Sequence, residues 1–334
     1  MKIQVGYVPL TDAAPVIAAA ERGFARDEGL EIALSREPSW ATLRDRLALG
    51  HLDAAHMLAP LAIASTLGLS GPQADLVVPM GLSLNGNALT LSTPLWAEMG
   101  APGGATAEVA AAFARVAGER AQAGRPLTLG TVHPFSCHTY QIRLFARLGG
   151  LDPQGLRLVV VPPPETVDAM ATGSIDGFCC GAPWNSIAVE AGLGRIAALG
   201  CEIVPDCPEK VLALPTRAAG YGAPLVRALR RAGSWCADPA HREELAGLLC
   251  ERAGLGAPAN LIARTLSGEM MLDAAGTART DPFYLRLDAG AHAPRPEQAA
   301  WLMEQMASAG QLAPNAALAA RAGAIYRPDL FAAL

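Results

Sequence analysis

Four short segments carry the residue types that matter most for chemistry: Glu37-Pro38-Ser39-Trp40, Leu84-Asn85-Gly86-Asn87, His133-Pro134-Phe135-Ser136-Cys137-His138 and Cys180-Gly181-Ala182-Pro183-Trp184-Asn185. The first, third and fourth lead from a predicted strand into a predicted helix. Their backbone N–H groups therefore face outward with the partial positive charge of a helix N-terminus, which suits an anion. Each segment also has a plainer explanation. Trp40 and Trp184 can fill a core at a helix start, and Pro183 suits the first helical position for backbone reasons alone. His138 on an amphipathic helix can be structural, and Asn85-Gly86 is a strong turn dipeptide. Enzyme signals are weak. No Gly-rich phosphate loop follows a strand, and no Gly-x-Ser-x-Gly elbow occurs. Cys179-Cys180 with His133 or His138 suggests a thiol or metal site only superficially. Adjacent strand residues point to opposite faces, so structural cysteines are expected.

Those segments need elements to hold them. Apolar runs predict strands at 3–8, 30–34, 52–58 and 75–80, alternating with helices at 15–26 (with Asp12 as its cap), 40–49 (capped by Ser39) and 61–67. A second set follows: helix 105–122, strand 127–132, helix 137–148, strand 156–161, helix 164–171, strand 175–180 and helix 183–191. Such alternation predicts an α/β fold of parallel sheets flanked by helices, with ligands at the carboxyl ends of strands. After about 206 the chain reads as largely helical. The 334 residues suffice for two domains, and 51% apolar against 17% charged residues allows a large core. A net charge of −5 gives no reason to expect a nucleic-acid surface. No run of 18 apolar residues predicts a membrane span. The first residues read as a strand rather than a secretory signal, and seven irregularly spaced cysteines do not suggest a disulfide framework. A cytoplasmic location is expected, although a chain shorn of its leader would read the same.

Several stretches together resemble the nitrate- and bicarbonate-binding proteins related to ABC transporters, including cytoplasmic nitrate sensors of the NasS type. They are Val5 to Asp12, Ser39-Trp40 with Arg44-Asp45, Leu52 to Pro60, and Leu84 to Ala88. The likeness continues through Val161-Pro162-Pro163-Pro164, Gly173 to Phe178, Gly181 to Asn185, Pro208-Glu209-Lys210-Val211 and Trp301 to Met306. It implies a two-lobed periplasmic-binding-protein-like fold of type II. One lobe would comprise 1–91 plus 208–334 and the other 92–207, with a ligand cleft between them. It further implies an anion held by an aromatic, an amide, a histidine and a lysine, which here are Trp40, Asn87, His138 and Lys210, with Trp184, His56, Asn85 and Pro183 as further candidates. Asn87 is one methylene shorter than the glutamine of the relatives, so a water is expected to fill that gap.

Nitrate and nitrite offer lone pairs and no donor, so a donor-only site suits them. Bicarbonate carries a hydroxyl and gains from a carboxylate or a metal, and Glu209 beside Lys210 keeps that ligand in view. Of 26 basic residues only Lys2 and Lys210 are lysines. A compact ammonium at 210 fits a small anion better than a guanidinium fork does, and a buried, unpaired ammonium would be relieved by the anion. The plain alternative is a surface lysine beside a loop. The resemblance implies a cytoplasmic nitrate or nitrite sensor, without cofactor or metal, that releases an RNA-binding antiterminator partner of the NasT type on ligand binding. It would make no direct contact with nucleic acid or membrane. The first alternative is the substrate-binding component of a nitrate or bicarbonate ABC transporter, and the second is an enzyme on a related two-lobed fold.

Overall fold

A computed structural model describes residues 1–333. The chain divides into two compact units: Met1–Leu84 with Pro208–Ala263 and Arg286–Leu334, and Asn85–Cys207 with Arg264–Leu285. The expected first lobe had included 85–91 and 264–285, but the structure groups both with the second unit. The reason is pairing: residues 87–92 form a strand of the second sheet, and Met270, Leu272 and Tyr284 pack into a cluster with Ala88, Ile196 and Leu199.

The first unit is built on the strands Lys2–Tyr7 (β1), Glu31–Arg36 (β2), Ala54–Leu58 (β3) and Leu76–Asn85 (β4). Leu285–Arg286 lies at the outer edge of the same sheet, beside β4. β1 runs parallel to β2 and β3. The expected helix 15–26 is broken into Ala14–Glu21 and Phe24–Asp27 by Gly23, whose φ of 87° no interior helical residue adopts. Helices Trp40–Ala48 and Ala59–Leu67 follow β2 and β3 as the apolar spacing predicts.

The second unit contains Asn87–Ser92 (β5), Thr128–Thr131 (β6), Arg157–Val160 (β7), Gly177–Gly181 (β8) and Gly194–Leu199 (β9), in the order β7-β6-β8-β5-β9. β6 is parallel to β7 and β8, whereas β5 is antiparallel to β8 and β9. Its core packs Phe113 and Phe145, with ring centroids 5.5 Å apart, among Leu89, Leu129, Ile142 and Cys179. Cys179 and Cys180 are neighbours on one strand, both are buried, and neither is in a disulfide.

One element departs fully from expectation. Residues Pro208–Pro215 form a strand (β10), not the start of a helical region, and every residue in it is buried. β10 lies between β3 and β4 and is antiparallel to both. The six-stranded and five-stranded sheets are both mixed rather than parallel throughout. β10 matters for function because it carries Glu209 and Lys210 into the interior of the first unit.

Candidate functional site

Three of the sequence-derived candidates meet inside the first unit. His56 lies in β3, and Lys210 lies on the same sheet face in β10, two residues from the Leu212 that pairs with His56. Trp40 opens the helix after β2, where the Ser39 side chain accepts a hydrogen bond from Thr42 N–H at 3.1 Å. That cap fixes the indole, which is wholly buried. The Trp40 and His56 ring centroids are 5.8 Å apart, and Lys210 Nζ sits 5.4 Å from the Trp40 ring, within cation–π range.

Asp12 is the residue that joins them. Expected to cap a helix, it lies instead in the short turn Thr11–Ala13 just past β1. Its carboxylate is 2.8 Å from Lys210 Nζ and 3.0 Å from His56 Nε2. Glu209 accepts a second hydrogen bond from Lys210 Nζ at 2.7 Å. The expectation of an unpaired ammonium in a donor-only site is thereby corrected. Lys210 is buried, and two carboxylates compensate its charge because burying a cation alone is too costly. Burial by itself would raise the pKa of Asp12, but the charges and hydrogen bonds of Lys210 and His56 outweigh it and hold the carboxyl well below its ordinary range. Burial likewise would lower Lys210, and Asp12 and Glu209 reverse the sign, so its pKa stands above the usual lysine value. Asp12 and Lys210 thus each gain from staying charged beside the other.

Donors remain after this pairing. An ammonium has three N–H groups, and two contacts are made here. The Trp40 indole N–H, Thr11 Oγ1 and His56 Nδ1 are buried without a hydrogen-bond partner among the described residues. Such orphaned polar atoms are rare in folded proteins and cost about 1–3 kcal/mol each. Asp12 was legible only as part of a motif. Its position in the loop that follows the carboxyl end of β1, five residues past Tyr7, is the signal that would have found it.

The remaining candidates lie in the second unit. Asn87 Nδ2 donates to Gln141 Oε1 at 3.1 Å in a buried setting that also holds the Cys179 thiol, 3.6 Å from the same oxygen. His138 is fully buried in the first turn of the helix Cys137–Leu148, capped by Ser136, whose Oγ accepts from Thr139 N–H at 3.2 Å. His133 is turned inward, its Nδ1 accepting from Phe135 N–H at 3.1 Å. Pro183 and Trp184 begin the helix Trp184–Glu190, and Asn185 Nδ2 donates to the Cys180 carbonyl at 2.7 Å. Asn85 spends both ends of its amide on backbone. Nδ2 donates to the Phe283 carbonyl and Oδ1 accepts from Cys207 N–H, each at 2.8 Å, while its φ of 61° turns the chain between β4 and β5.

The chain belongs to the NMT1-like family, whose pattern matches residues 1–250. It is 33% identical over 348 residues to the nitrate import ATP-binding protein NrtC of Synechocystis sp., which covers 99% of this chain and 49% of that protein. It is 33% identical over 256 residues to the nitrate/nitrite binding protein NrtA of Synechococcus elongatus, covering 73% of this chain and 56% of that one. The bicarbonate-binding protein CmpA of the same organism is 29% identical over 286 residues, or 82% of this chain and 62% of that protein. The chain thus spans about half the length of the first of these relatives. Among solved structures, the periplasmic nitrate-binding protein NrtA from Synechocystis PCC 6803 aligns with a TM-score of 0.90 at 24% identity, over 99% of this chain and 87% of that one. The alkanesulfonate-binding protein SsuA from Xanthomonas axonopodis pv. citri aligns with a TM-score of 0.67 at 17% identity, over 96% and 97%. The expected α/β periplasmic-binding-protein fold is the fold of this chain.

Proposed function

We propose that the protein is a binding protein for a small inorganic oxyanion, nitrate or nitrite, and that Trp40 and Lys210 contact it. One observation carries this reading: a buried ammonium with a third N–H, beside an indole N–H that has no acceptor among the described residues. An oxyanion offers acceptors alone and would satisfy both donors at once. The names of the relatives, which bind or import nitrate and nitrite, support the same ligand class. The carboxylates of Asp12 and Glu209 favour a second reading, bicarbonate, whose hydroxyl needs an acceptor, and a relative of the bicarbonate-binding kind exists.

His138 and Asn87 join the proposal as further ligand contacts, and Trp184, His56, Asn85 and Pro183 as supporting residues. We infer a regulatory use in the cytoplasm, in which anion binding releases an RNA-binding antiterminator partner. The transport use, as the substrate-binding component of a nitrate or bicarbonate ABC transporter, is favoured by the names of the relatives.

Calorimetric titration with nitrate, nitrite and bicarbonate, repeated on Trp40→Phe, tests the ligand. Trp40→Phe keeps an aromatic ring and removes the N–H. Nitrate or nitrite is expected to bind, and the variant to bind about tenfold more weakly, the equivalent of one lost hydrogen bond. Bicarbonate binding without any nitrate response would replace the ligand assignment. A complex with the antiterminator that nitrate dissociates is the outcome expected of the regulatory use. A complex with a membrane permease would establish the transport use instead.

A further inference from the structure

We propose that Gln141 is a positioning residue for anion binding: it fixes which way round the Asn87 side-chain amide stands, so that the anion meets a donor there rather than an acceptor. The inference rests on the reading that Asn87 contacts the anion. It follows from a chain of hydrogen bonds inside the second unit, to which Asn87, Gln141, Cys179 and Gly200 all belong. Gln141 stands on the helix Cys137–Leu148, Asn87 opens β5, Cys179 lies in β8, and Gly200 follows β9. Antiparallel pairing sets the start of β5 beside the ends of both its partners. Asn87 is opposite Gly181, the last residue of β8, and Ala88 is opposite Leu199, the last of β9.

The Gly200 carbonyl sets the direction of every bond in the chain. A carbonyl oxygen only accepts, so the end of the Gln141 amide that faces it, at 3.4 Å, is Nε2. Oε1 therefore points the other way, where it accepts from Asn87 Nδ2 at 3.1 Å and from the Cys179 thiol at 3.6 Å. Turning the Asn87 amide over would bring its Oδ1 against Gln141 Oε1, two acceptors with no hydrogen between them. Asn87 and Gln141 are both 0% exposed, so bulk water is not at hand to repair that loss. The same bond fixes the plane of the Asn87 NH2 group, and with it the direction of both N–H groups. Glycine at 200 is part of the device. A Cβ there would stand 2.8 Å from Gln141 Nε2 and 2.9 Å from the Asn87 backbone oxygen. Nitrate, which offers lone pairs alone, gains from a nitrogen held in this way and is repelled by an oxygen in its place.

The test is the effect of Asn87→Ala on nitrate affinity, read by calorimetry in three backgrounds. In the otherwise unmodified protein it should weaken nitrate about tenfold, the equivalent of one lost hydrogen bond. Gln141→Met keeps nearly the same length and removes both ends of the amide. Alone it should weaken nitrate about fivefold, and adding Asn87→Ala should then cost less than about twofold. Gln141→Glu keeps an acceptor for Asn87 Nδ2. In that background the Asn87→Ala step should again be about tenfold, whatever the added charge does to affinity itself. A residue that only supports the fold would leave the step at full size in every background, and that result overturns the proposal. So does nitrate affinity unchanged in Gln141→Met, or a step lost in Gln141→Glu. If Gln141→Met does not fold, Gly200→Ala replaces it, because the added methyl pushes Nε2 off the carbonyl. The step should shrink there too, and an undiminished one overturns the proposal. Nitrate binding that Asn87→Ala leaves intact in the unmodified protein would instead remove Asn87 from the ligand contacts, and this proposal with it.

Discussion

Lys210 is engaged by Asp12 and Glu209 within its own unit, and this changes what a substitution there means. Replacing it with methionine leaves two buried carboxylates facing each other without a cation. Breaking a buried pair in this way costs roughly 3–5 kcal/mol. Lys210→Met is therefore expected to lose about that much stability in urea denaturation, besides losing anion affinity. A loss below about 1 kcal/mol would show that the cluster is not the buried network described here. The pH dependence has a definite sign. Asp12 has a pKa depressed in the fold, so its contribution is fully present above the ordinary carboxyl value of 3.8 and is lost as pH falls below it. The cluster should consequently hold throughout the neutral range. Trp40→Phe is the milder probe, because it removes a donor and leaves every charge pair in place.

At the scale of elements, helix starts position a candidate residue in each unit. Ser39 caps the helix that carries Trp40, and Ser136 caps the helix that carries His138. Ser39→Ala removes the acceptor for Thr42 N–H and should cost about 1 kcal/mol in chemical denaturation, with Trp40 fluorescence altered because the indole loses its fixed entry angle. An unchanged denaturation midpoint would mean that the cap contributes nothing. These helix starts were readable in advance, since a serine before an amphipathic run is a local signal. The alternation of β1 to β4 with their helices was readable for the same reason. β10 was not. Its eight residues are buried on both faces, so no alternation of polar and apolar positions marks it, and Glu209-Lys210 disguises a buried strand as a charged loop. β5 was hidden similarly, because it follows β4 after the single residue Gly86 and the two strands are buried on both faces almost throughout. Trp40, His56 and Lys210 could thus be named as candidates, whereas the carboxylates that hold Lys210 emerged only from the pairing of β10 with β3 and its approach to the turn after β1.

Stability of the whole chain at mild acidity should be governed by a residue far from this chemistry in sequence. His292 ends the short helix Ala289–His292 and is 2% exposed, and its Nε2 has no hydrogen-bond partner among the described residues. It packs so closely on the helix Gly222–Ala237 that a Cβ at Gly233 would stand 2.1 Å from its ring. Burial pushes its pKa down from 6.5 to about 4, with nearby Asp288 opposing the shift only in part. The imidazole is therefore neutral in the fold, while an unfolded chain takes up a proton once pH drops below about 6.5. Unfolding then binds a proton between these two values, so stability falls as pH is lowered through that window. A shift of this size corresponds to roughly 3 kcal/mol, lost progressively from pH 6.5 to about pH 4. Urea midpoints measured at half-unit steps should trace this decline, and His292→Leu, which has no proton to gain, should flatten it. Asp12 titrates only below the window, so the two effects separate on the pH axis. A decline equally steep in His292→Leu would move the acid sensitivity to another group, and Gly233→Ala gives an independent check. The added methyl must displace the ring, at an expected cost of about 1–3 kcal/mol at neutral pH.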